Sequence, residues 1–71
     1  MNRIREVREA HGITQSVLHT KLGWKQSRLS NYETGVRSPG LDEARQIVTA
    51  LQDLGAPCDL DDVFPADEHA A

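Results

Sequence analysis

The chain has 71 residues, 38% hydrophobic and 27% charged, with one Trp, one Tyr and one Phe. So short a chain buries only about 60% of the surface its unfolded form exposes, so an enclosed substrate pocket would compete with the core for the same apolar side chains. Its net charge of −3 hides an asymmetry: residues 1–37 carry seven basic side chains against three acids, a net of +4, and residues 38–71 one against eight, a net of −7. One half can therefore present a positive face to phosphate although the total is acidic.

In chain order, Asn2 is placed to cap a first helix whose apolar positions are Ile4, Val7 and His11, with Gly12 ending it in the left-handed conformation. Thr14 caps a second helix, Gln15 to Leu22, in which Leu18 and Leu22 share a face, and Gly23 stops it. A third helix runs from Lys25 or Gln26 to Glu33, buries Leu29 and Tyr32, and ends at Thr34-Gly35. The segment Gly35–Gly40 reads as a loop. Asp42 and Glu43 then fall in the first turn of a fourth helix, where the backbone dipole favours acids, with Leu41, Ala44, Ile47, Val48 and Leu51 as its stripe. Gly55-Ala56-Pro57 breaks that pattern. Asp59 caps a last short helix carrying Leu60, Val63 and Phe64, and Pro65 stops it. No segment alternates long enough to argue a strand. The expectation is an all-α domain of five helices over residues 1–65, followed by a frayed acidic tail over residues 66–71.

Several chemistries are excluded by what is missing. No apolar run approaches the roughly 20 residues that span a bilayer, and MNRIREVREA has no apolar core of a signal peptide. Cys58 is the single cysteine, so neither an internal disulfide nor a multi-cysteine metal site is expected. His11, His19 and His69 share no metal-ligand spacing, and no Ser/His/Asp set sits on a strand-turn-helix elbow. The expectation is a cytoplasmic, non-enzymatic protein with no cofactor, no metal and no small-molecule ligand.

The informative segment is Thr14 to Gly35. Two short helices joined at Gly23 bury their stripes only by crossing, with Leu18 and Leu22 meeting Leu29. That packing leaves Lys25, Gln26, Ser27, Ser30 and Asn31 on an outer face. A helix fits the major groove of duplex DNA, and amide side chains pair bidentately with adenine. Lys21, Arg28, Arg37 and the free N–H groups near Gln15 suit phosphates. An ordinary solvated helix face is the competing reading.

The run IREVREAHGITQ, followed by LHTKLGWKQSRLSNYETG, resembles the Cro/repressor class of phage and bacterial helix-turn-helix domains. Arg8-Glu9, Gly12-Ile13-Thr14-Gln15, Leu18, Gly23, Leu29-Ser30, Glu33 and Gly35 carry the likeness, which extends over about residues 4 to 63. It implies a compact five-helix lambda-repressor-like domain with the helix-turn-helix as helices two and three. It also implies sequence-specific binding of double-stranded DNA. Gln26, Ser27 and Asn31 would reach base edges, flanked by Lys25 and Ser30. Gln15, Lys21, Arg28 and Arg37 would hold phosphates, and Arg8 and Glu33 would form a partly buried ion pair. Two positions depart from the pattern. His19 stands where a small residue is usual and is expected to swing outward or open the helix angle. Trp24 stands where a smaller apolar residue is common and is expected to pack over Leu29 or line the rim near DNA.

A single recognition helix reads few base pairs, so a homodimer on a pseudo-palindromic operator is expected, acting as a Cro-like repressor of phage or prophage type. Leu51, Leu54, Cys58, Val63 and Phe64 are the expected dimer contacts. The alternative on the same scaffold is an antitoxin or protein-interaction module, whose activity would depend on the tail Asp67–Ala71.

Overall fold

The computed structural model describes residues 2–65. The expected tail over residues 66–71 lies outside the described residues. Among those described there are five α-helices and no strand: α1 (Ile4–Ala10), α2 (Gln15–Leu22), α3 (Gln26–Thr34), α4 (Leu41–Asp53) and α5 (Leu60–Val63).

Local chemistry explains most boundaries. The Thr14 hydroxyl accepts the Val17 N–H at 3.1 Å, capping α2 as expected. Asp59 and Asp62 form a reciprocal capping box around α5: Asp62 N–H donates to Asp59 Oδ1 at 3.0 Å and Asp59 N–H to Asp62 Oδ2 at 2.9 Å. The turns after α1 and α2 are built alike. Gly12 and Gly23 sit at φ +67° and +73°, which a side chain would oppose. Beyond each glycine the next N–H reaches back into the last turn, Ile13 to the Arg8 carbonyl at 2.9 Å and Trp24 to the His19 carbonyl at 3.0 Å.

The start of α1 differs from expectation. Arg3, not Asn2, is the cap residue and has no side-chain capping bond. Asn2 instead accepts the Ile4 N–H at 3.2 Å and donates from Nδ2 to the Tyr32 carbonyl at 2.6 Å, tying the chain start to α3. His11 does not extend the apolar stripe of α1; it is exposed, with Nδ1 against the Val7 carbonyl at 3.1 Å.

One core unites all five helices. Ile4, Leu18, Leu29, Ile47, Leu51 and Val63 are fully buried, each worth about 1.5–3 kcal/mol of transfer free energy. Here α2 packs on both α3 and α4, while α5 folds back against α1 and α4. The Arg3 N–H closes that contact by donating to the Val63 carbonyl at 2.7 Å.

Of the expected dimer contacts, Leu51, Val63 and Phe64 are buried side chains of the protomer itself. In so small a chain α5 is needed to close the core, so its apolar side turns inward. Leu54 and Cys58 are half-buried against the same cluster. Leu41, expected to open the α4 stripe, is 57% exposed. Phe64 lies just past the end of α5 instead of within it, and is buried there.

Candidate nucleic-acid interface

Crossing α2 over α3 at Gly23 leaves one side of α3 facing outward. Leu29, Tyr32 and Glu33 turn inward, while Lys25, Gln26, Ser27 and Arg28 are exposed and Ser30 and Asn31 half-exposed. A chain of polar contacts links this outer face to the interior. Arg8 and Glu33 form a bidentate pair, Nε to Oε2 and Nη2 to Oε1 at 3.0 Å each, with side chains only 9% and 4% exposed. Arg8 Nη1 also donates to the Ile13 carbonyl at 3.1 Å, holding the turn before α2. Gln15 Nε2 donates to Glu33 Oε1 at 3.4 Å, and Gln26 Nε2 donates to Gln15 Oε1 at 2.6 Å.

The orientation of the two amides follows from chemistry. A carboxylate paired with guanidinium only accepts, so Gln15 turns its nitrogen to Glu33 and its oxygen to Gln26. Gln26 then commits one N–H to Gln15. Gln26 is exposed, and among the described residues its Oε1 and second N–H have no hydrogen-bond partner.

The two flanks of α3 are unlike. Along one, Gly23, Trp24, Lys25, Ser27, Arg28, Asn31, Tyr32 and Arg37 line an open groove that contains three cations and no acid. Along the other, Ser30 lies with Asn2, Gln15, Thr34 and the charged residues Arg5, Glu6, Arg8 and Glu33. Arg37 is brought beside α3 because its N–H donates to the Asn31 carbonyl at 3.1 Å. Lys21 is not gathered with this group. It points to α4, where Nζ lies 3.8 Å from Asp53 Oδ2 in an exposed pair, beside Arg45 and Gln46.

Sequence reasoning missed the environment of Trp24. It is half-buried against the core that contains Leu29 and lines the groove beside α3. Its ring meets Tyr32 edge-on, centroids 5.6 Å apart at 68°, and carries the Arg28 guanidinium 4.1 Å over its face. Arg28 and Tyr32 are four residues apart on α3, an interval that brings side chains together, but Trp24 precedes the helix, so spacing alone does not place it there. His19 turns back to the segment between α2 and α3. It is half-buried, and Nδ1 donates to the Trp24 carbonyl at 3.0 Å, since a carbonyl only accepts.

Burial, with smaller contributions from Asp62 and Asp59, pushes the Cys58 thiol up. It is held protonated and is a poor nucleophile. Among the described residues no group of three or more His, Cys, Asp or Glu side chains converges to hold a metal, and no helix is long and apolar enough to cross a membrane.

A family model described as helix-turn-helix matches residues 4–54, from the start of α1 to the residue after α4. The chain belongs to the Cro/C1-type helix-turn-helix family. It is thus a DNA-binding regulatory domain, with α2 and α3 as the helix-turn-helix proper. The match ends at residue 54, before α5, whose Val63 is buried in the same core. No curated protein and no solved structure matches the chain.

Proposed function

We propose that the domain is a Cro-like repressor that occupies a pseudo-palindromic operator as a homodimer, each protomer laying α3 in the major groove. The observation that carries this reading is the fixed Gln26 amide. Its open Oε1 and N–H form a donor–acceptor pair, the pattern that matches N6 and N7 of adenine. Ser27 and Asn31 read neighbouring base edges, and Ser30 lies at the margin. Arg28, Arg37 and Lys25 hold backbone phosphates along one flank. Gln15 holds another with its remaining N–H and with the free backbone N–H groups of the first turn of α2. Lys21, turned to Asp53, contributes little.

A two-fold dimer sets half-sites about 34 Å apart. With Leu51, Val63 and Phe64 interior, the contact draws on Leu54, Cys58 and the exposed residues around them. Repression follows from occupancy alone, without catalysis, cofactor or small-molecule ligand, in a bacterial cytosol or nucleoid.

Selection of bound duplexes from a random pool, with stoichiometry measured on the recovered sequence, tests this reading. The expected product is a two-fold-symmetric site with an adenine in each half, holding two protomers. Affinity should fall about a thousandfold between 50 and 200 mM salt if each protomer neutralises three phosphates. Recovery of unrelated sequences, or one protomer per site, would contradict it.

A further inference from the structure

An arginine on an exposed helix face ordinarily samples many rotamers and loses that freedom on binding. Arg28 is pinned before any ligand arrives, 4.1 Å above the indole and 5.9 Å from the Tyr32 ring. The indole is itself fixed. It is half-buried against the core, edge-on to Tyr32, with its backbone carbonyl held by His19.

Stacking covers one face of the guanidinium and leaves its edge, where the N–H donors lie, uncovered. Among the described residues Arg28 has neither an ion pair nor a hydrogen-bond acceptor for those donors. Lys25 and Arg37 line the same groove, and no carboxylate does. A planar donor edge beside two further cations suits the anionic oxygens of a phosphodiester, the chemistry of a backbone phosphate.

Resting on the DNA-binding reading above, we propose that Trp24 is a positioning residue that presents Arg28, with Lys25 and Arg37, as a phosphate clamp along one flank of α3. The clamp grips any duplex, so it contributes equally to specific and non-specific sites.

The test uses a mixed-sequence duplex of about two helical turns, titrated at several salt concentrations. Trp24→Leu should weaken binding about three- to tenfold. Arg28→Met should lower the salt slope by roughly one unit per protomer. In the Arg28→Met background, Trp24→Leu should cost nothing further, and Trp24→Phe alone should keep most of the affinity. Trp24 is the chain's single tryptophan, so its emission reads the stack directly and should change in Arg28→Met, an exposed substitution that spares the fold. The proposal is overturned if Trp24→Leu weakens parent and Arg28→Met equally, or if Arg28→Met binds with the parent's salt slope. A parent protein that binds no duplex defeats the DNA-binding reading itself, a result separate from either of these.

Discussion

Glu33→Ala is expected to destabilise the domain by about 3–5 kcal/mol, because it strands the Arg8 guanidinium in the interior. The partner side chains are 9% and 4% exposed, so solvent cannot take over the lost interaction. Arg8 would keep only the Ile13 carbonyl, and Gln15 would lose the acceptor that orients it. Domains of this kind are stable by about 5–15 kcal/mol in all, so the loss is a large share. Urea unfolding should show it as a lowered midpoint with little change in slope. Replacing both partners at once, Arg8→Met with Glu33→Leu, should recover much of the loss, because no charge is then left unpaired. Glu6→Ala breaks an exposed pair of 54% and 67% exposure and should change stability by less than about 0.5 kcal/mol. A loss under about 1 kcal/mol for Glu33→Ala would contradict the role of the pair.

The second large effect concerns recognition. Gln26→Ala and Asn31→Ala should each remove about 1–3 kcal/mol of discrimination between the selected operator and a scrambled duplex. Neither should move the unfolding midpoint appreciably. Gln26 is exposed, and the Asn31 bond that holds Arg37 comes from its backbone carbonyl, which alanine retains. The salt slope should stay near the parent value, since no phosphate contact is lost. Gln15→Ala should act partly through Gln26, whose amide then loses its fixed partner, and should reduce discrimination less than Gln26→Ala does. Competition binding against the scrambled duplex measures all three.

Helix ends were legible in the sequence wherever one residue decides them. Thr14, Gly23 and Asp59 act within a single turn, so reading them needs no knowledge of the tertiary fold. The crossing of α2 and α3 followed from stripes too short to be buried alone. Periodicity could not say what covers an apolar face. Leu51, Val63 and Phe64 lie on such faces, and only the return of α5 onto α1 and α4 shows that the protomer covers them itself. Leu41 is the converse case, since it continues the α4 period and is exposed all the same. Lys21 shared a basic half with Arg28 and Arg37, but charge counting carries no direction, and the side chain turns to Asp53. The Gln15–Gln26 contact joins residues eleven apart on two helices, so it depends on a crossing geometry that spacing does not encode.

The account rests on the outer face of α3 being the surface that enters the groove. Amide and side-chain NMR shifts, followed as operator duplex is titrated into labelled protein, test that most directly. The predicted result is that the largest changes fall on Gln15, Lys25–Asn31 and Arg37, with the side-chain amide of Gln26 among them. Changes centred on α5 or on the outer side of α4, with the Gln26 amide unmoved, would contradict it.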